Sequence, residues 1–107
     1  MDRRQAIKII RRFVKELKHR DISVDRIVLY GSYVRGQARP DSDIDIAVVS
    51  KNFGKDRVEE GMLLFRIAGK IDPRLEPVPI SLKAYENNTW VPLIYEIREK
   101  GKEVKLQ

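Results

Sequence analysis

Leu29 to Val49 decides most of what this chain can become. An apolar run, Ile27 to Tyr30, stops at Gly31-Ser32, and a second run opens on Asp43-Ile44-Asp45 and continues to Val49. Short β-branched runs ended by glycine read as buried strands. Ser32 to Gly36 suits a single helical turn, and Gly36 to Pro40 holds the breakers of a loop. Strand alternation over Asp43 to Val49 sets Asp43, Asp45, Ala47 and Val49 on one face and Ile44, Ile46 and Val48 on the other. The chain is thereby committed to a sheet with two acids at the mouth of one strand.

That placement has chemical content. A glycine after a strand lets backbone approach a phosphate, the Ser32 hydroxyl adds a donor, and the helical turn offers N–H groups to an anion. A Gly-Ser pair alone is also an ordinary strand-ending turn. The aspartates add weight, because aspartate is disfavoured in strands and the same face continues with Ala47 and Val49. Cα atoms two apart on a strand stand roughly 6.5 to 7 Å from each other, so both carboxylates can reach one magnesium ion or bridge a pair. Arg35 and Arg39 lie between turn and acids; either can neutralise triphosphate oxygens, or both can be surface charges. Asp41 and Ser42 are expected to tighten the loop. Tyr30 and Tyr33 are expected to pack.

The flanking segments supply layers. Arg3 to His19 repeats apolar residues at spacings of three and four (Ala6, Ile7, Ile10, Phe13, Val14, Leu17), which predicts a helix. After a polar Ser50 to Lys55 loop, Arg57 to Ile71 predicts a second, with Val58, Met62, Leu64, Phe65, Ala68 and Ile71 facing inward. Leu75 to Leu82 predicts a strand with Glu76, Val78, Ile80 and Leu82 on one face. Pro77 and Pro79 lack the N–H groups of one side, so this strand belongs at a sheet edge. If it lies beside Asp43 to Val49, Glu76 supplies a third carboxylate, as metal ligand, as base, or both; Asp72, before Pro73, is the less favoured candidate. Ala84 to Thr89 reads as a loop or turn. Trp90 to Lys100 reads as a short helix with Leu93, Ile94 and Ile97 inward, closed by Gly101, and Lys102 to Leu106 as a small terminal strand.

At 107 residues the chain has room for one domain, residues 1–107, with one modest core. The fold class is α/β (α+β). The absence of cysteine excludes disulfides and thiolate metal sites. No signal-like or membrane-spanning apolar run is present, so a cytoplasmic protein is expected. A net charge of +6 allows nucleic-acid contact without favouring it, since aspartates at the site oppose RNA phosphate.

Gly31-Ser32, ten intervening residues that include Arg35-Gly36, and Asp43-Ile44-Asp45 together resemble the signature of the DNA polymerase β nucleotidyltransferase superfamily. The small size resembles its minimal nucleotidyltransferase branch. The resemblance implies a short mixed β-sheet flanked by helices and a magnesium-dependent transfer of a nucleoside monophosphate, AMP from ATP. In it Gly31 and Ser32 hold the triphosphate, Asp43 and Asp45 bind Mg2+, and Glu76 is the third acid. Many relatives carry aspartate on an ordinary strand where this chain has glutamate before a proline. Minimal members are commonly encoded beside a small helical HEPN protein, and some act as antitoxins by adenylylating that toxin. A chain without room for an acceptor domain fits this, with the acceptor hydroxyl on a partner in a hetero-complex or oligomer. The competing expectations are an antitoxin that neutralises by covering alone, transfer to a small molecule, and an RNA-binding module.

Overall fold

The computed structural model describes residues 2–87 and 90–106. Helix α1 (Arg3–His19) starts where the Asp2 carboxylate accepts the Gln5 backbone N–H at 2.9 Å and the Gln5 side chain accepts the Asp2 N–H at 3.0 Å. This reciprocal pairing satisfies two end donors and fixes the start of the helix. Its stripe of Ala6, Ile10, Phe13, Val14 and Leu17 is buried. Strand β1 (Arg26–Tyr30), the one-turn helix α2 (Ser32–Arg35), strand β2 (Ile44–Ser50), helix α3 (Arg57–Ile71) and strand β3 (Leu75–Ser81) follow. Helices α4 (Leu82–Asn87) and α5 (Pro92–Lys100) and the two-residue strand β4 (Lys102–Glu103) complete the order.

The sheet runs β3-β2-β1-β4, with β1 antiparallel to β2 and β4, and β3 parallel to β2. It is the mixed sheet with flanking helices expected from the sequence, and β3 is at an edge. The Ile44 N–H donates to the Arg74 carbonyl at 2.7 Å, so even-numbered residues of β3 turn their backbone groups toward β2. The imide nitrogens of Pro77 and Pro79 therefore face outward, where no ladder needs them.

Alternation along β2 divides the interior. Ile44, Ile46 and Val48 pack with α1 and α3 in the larger apolar cluster, which also holds Phe13, Leu17, Ile27, Leu29, Leu64 and Leu75. Ala47 and Val49 pack on the opposite face with Val28, Ile80, Ile94 and Ile97. Gly101 ends α5 where a Cβ would overlap the Ile97 carbonyl and the Val28 side chain, so the close approach of α5 to β1 depends on its hydrogen.

Several expectations need correcting. β2 begins at Ile44 and runs through buried Ser50, leaving Asp43 just ahead of the strand. In α3 the buried residues are Leu64, Ile67 and Ala68, while Val58, Met62 and Phe65 point to water. A helix apolar on two sides gives a stripe too wide to choose a face, and the sheet accepts one only. Leu93 is 41% exposed, so α5 faces inward through Ile94 and Ile97 alone. Leu82 opens α4 rather than ending β3, and the expected Ala84 to Thr89 loop is helical to Asn87. Its last two positions, Asn88 and Thr89, lie outside the described residues. The terminal strand is confined to Lys102 and Glu103.

Candidate active site

Register brings the chemistry together. Tyr30 of β1 stands opposite Asp45 of β2, and Asp45 opposite Glu76 of β3, so the three side chains form one row on the face that α4 and α5 cover. Neighbouring strands are about 4.8 Å apart, which makes Asp45 and Glu76 direct neighbours. The next row is Val28, Ala47 and Val78, all apolar. The acids thus sit where the small cluster ends and water begins: Asp45 is half-buried, Glu76 and Asp43 are exposed.

Gly31 ties the turn to this row. Its backbone adopts φ 78° and ψ −146°, a conformation open essentially to glycine. A Cβ there would overlap the Asp45 carboxylate, so both the backbone conformation and the space demand glycine. Its carbonyl accepts the N–H groups of Val34 and Arg35, each at 3.1 Å, which opens α2. The first N–H groups of such a turn have no partner within it. Gly36, with φ 74°, ends α2 in the left-handed conformation. The loop beyond is tied by Ser42, whose hydroxyl accepts the Arg39 N–H at 2.7 Å and whose own N–H donates to the Arg39 carbonyl at 3.0 Å. Of the two residues expected to tighten the loop, Ser42 is the one with these bonds. Arg74 donates to the Pro40 carbonyl at 3.3 Å and anchors the loop to the start of β3.

Burial pushes the Asp45 carboxyl above the usual carboxylate range, and the negative charges of Asp43 and Glu76 push it further; Arg35 opposes the shift, and Glu96 adds to it. The Tyr30 hydroxyl is pushed up to about 12, by burial first and then by Asp45, Glu96 and Glu76, so it remains a protonated donor at neutral pH. The row therefore carries negative charge for which its own residues supply little compensation, the condition a bound cation relieves. Asp43, Asp45 and Glu76 do not close into a ready cage: among the described residues, no group of three or more histidine, cysteine, aspartate or glutamate side chains is placed to hold a metal ion. Magnesium is compatible with this arrangement, since it takes oxygen donors, keeps several waters and is commonly held by one or two carboxylates plus substrate phosphates.

Each expected residue has a definite place. Gly31, Asp45 and Glu76 converge, with Ser32 opening the turn beside them. Arg35 reaches Asp45 through its charge, while its Nε donates to Gln37 Oε1 at 3.1 Å. The Arg39 side chain is exposed on the loop and has no hydrogen bond or ion pair among the described residues. Asp72 is engaged elsewhere: its two oxygens accept Arg74 Nε at 3.0 Å and Nη2 at 2.7 Å, and these bonds hold its carboxyl below the usual range. Two members of the neighbourhood escaped the sequence. Tyr30 was expected only to pack, and Glu96 of α5 gave no signal, because its nearness to Asp45 and Tyr30 exists only after the helix folds back onto the sheet. Cavities of about 690 and 650 Å³ lie along α3 and the β3 edge, and none of Asp43, Asp45 and Glu76 lines either.

Comparisons with known proteins bear on the family and the fold. The family model described as "nucleotidyltransferase domain" matches residues 8–105. Two proteins of Methanocaldococcus jannaschii, both provisionally named protein adenylyltransferases, are similar to the chain. MJ1305 is 33% identical over 94 residues, covering 78% of this chain and 64% of its own length. MJ0141 is 28% identical over 102 residues, covering 94% of this chain and 99% of its own. The chain thus spans a little under two thirds of the first relative and nearly all of the second. Among solved structures, a provisionally named nucleotidyltransferase from Sulfolobus solfataricus has the same fold, with a TM-score of 0.64 at 17% identity over 92% of this chain and 78% of that one. A chain from a toxin-antitoxin crystal structure with AMP-PNP has a TM-score of 0.57 at 24% identity over 91% of this chain and 73% of that one.

Proposed function

This chain belongs to the nucleotidyltransferase domain family, and on that premise we propose that it transfers AMP from ATP, with magnesium, to a hydroxyl of a partner protein. The observation that carries the proposal is the row of Tyr30, Asp45 and Glu76 against a glycine whose missing Cβ makes room for the Asp45 carboxylate. Gly31 and Ser32 hold the triphosphate, and Arg35 and Arg39 neutralise its oxygens. Asp43 and Asp45 would hold the metal, with Glu76 as third acid. When bound, the ion would neutralise charge on the triphosphate and on the leaving pyrophosphate. The acceptor oxygen bonds to the α-phosphorus, the bond to the pyrophosphate oxygen breaks, and the acceptor's proton passes to Glu76. Tyr30, kept protonated, offers a hydrogen bond toward the acids without competing as a nucleophile.

The partner is proposed from kinship. Both M. jannaschii relatives are named as acting on protein, and one structural neighbour comes from a toxin-antitoxin complex. A small helical HEPN toxin, with this chain as its cytoplasmic antitoxin and residues 1–107 as a single transferase domain, is the version carried here. Incubation with labelled ATP, magnesium and the product of the neighbouring gene tests it. Label should reach the partner with wild type and be lost with Asp43→Ala plus Asp45→Ala. Inhibition of the partner by both proteins without label would instead establish neutralisation by covering. Unchanged transfer by Glu76→Gln would remove Glu76 from the chemistry.

A further inference from the structure

One face has no use in the fold or in the acid row. α3 turns Val58, Met62 and Phe65 outward at 74%, 60% and 60% exposure, where a helix bordering water is ordinarily polar. Gly61 and Gly69 lie on the same side. Neither has positive φ, a Cβ on Gly69 would meet nothing within 4 Å, and one on Gly61 would make ordinary contact with Pro79 at 3.8 Å. The monomer requires neither glycine, although glycine weakens a helix interior. A cavity of about 690 Å³ runs along this face between Arg57, Val58, Met62, Phe65 and Arg66.

The stripe is complementary to itself. A two-fold axis running between two antiparallel copies of α3, level with the midpoint of positions 63 and 64, sets Met62 against Phe65 of the second copy and Val58 against Gly69, the latter large on small. The same operation sets each flank of the helix against its own counterpart. At 100° per residue, Glu59, Arg66 and Lys70 share one flank, within about 40° of each other. Glu59 then falls midway between Arg66 and Lys70 of the second copy, about 3 Å along the axis from each. All three are exposed, and among the described residues none of them makes an ion pair. Opposite charges meeting under the same symmetry that matches the apolar pairs identify the occupant as another copy of this chain.

We propose that α3 is the interface of an antiparallel homodimer, with Met62 packed on Phe65, Val58 seated over Gly69, and Glu59 bridging Arg66 and Lys70. α3 packs on the sheet face opposite the acid row, so the dimer leaves that row open and holds whether or not the proposed transfer does. A 15-residue helix is about 22 Å long, so the interface is small and its dissociation constant is expected on the order of micromolar.

Sedimentation velocity of the whole chain across a concentration series is the test. Wild type should pass from monomer to dimer. Met62→Glu should weaken dimerisation at least about tenfold. Gly69→Leu, whose Cβ meets nothing in the monomer, should do likewise while circular dichroism is retained and dilute protein melts no lower than wild type, since leucine is the better helix former. Glu59→Lys should weaken it about three- to tenfold, and adding Arg66→Glu with Lys70→Glu should restore it. A chain that remains monomeric at several hundred micromolar, about two orders of magnitude above the expected constant, overturns the proposal. So does a dimer insensitive to Met62→Glu and Glu59→Lys, or a face that binds a different protein without self-association.

Discussion

The two faces of β2 are built by the same alternation and do opposite work. Toward α1 and α3 the strand presents Ile44, Ile46 and Val48, all fully buried. Toward α4 and α5 it presents Asp45, Ala47 and Val49, and only the last two are fully buried. The first face is closed by two long helices; the second is covered by short ones that leave its end open. A strand can thus anchor the core with one set of side chains while the other set holds charge at the edge of water. Stability and chemistry should accordingly separate by residue parity.

The sharpest break between the faces is chemical. Asp43→Ala with Asp45→Ala should reduce nucleotide transfer at least about a thousandfold while leaving the melting temperature undiminished, measured by label transfer beside thermal circular dichroism. One position along, on the other face, Ile46→Ala should cost about 2 to 5 kcal/mol in urea unfolding and leave transfer per folded molecule intact. If Ile46→Ala abolished transfer in fully folded protein, the two faces would not be separable. Gly31→Ala joins the two effects. Transfer should fall about a hundredfold through displacement of the Asp45 carboxylate, and the strained backbone should cost about 1 to 3 kcal/mol.

Smaller effects test the electrostatics. The Asp45 carboxyl titrates higher in the folded chain than in the unfolded one, so folding is penalised above the folded value and the penalty disappears below the unfolded value of about 3.9. Asp45→Asn should therefore melt modestly higher than wild type at pH 7, with the gap closing as pH approaches 4. Asp72 has the opposite sign. Its carboxyl is held low by Arg74, so its contribution is present above about pH 4 and is lost as pH falls through the folded value. Asp72→Asn should lower the melting temperature slightly at pH 7 and by less in acid; an equal deficit at all pH values would mean that charge is not the cause.

The face containing Ile46 was legible because alternation and β-branching are local. So were the turn at Gly31 and the edge placement of β3, which two prolines announce. Asp43 and Asp45 were visible in sequence by their spacing, but the row that Asp45 forms depends on register with Tyr30 and Glu76, a tertiary fact. Glu96 reaches that row only through helix packing. The face of α3 was misassigned because Val58, Met62 and Phe65 continue the apolar pattern around the helix, and periodicity does not say which side meets the sheet. What hydrophobicity marked there is a surface, which the same pattern cannot distinguish from a core.

The outward nitrogens of Pro77 and Pro79 have a consequence for the protein in bulk. An exposed strand margin ordinarily templates the next strand, and stacking of that kind leads to fibrils. Here one margin lacks two of the donors needed for such growth, and the other is a strand of only two residues. The sheet is a finished object, and crowding should drive these molecules together through side chains rather than through backbone.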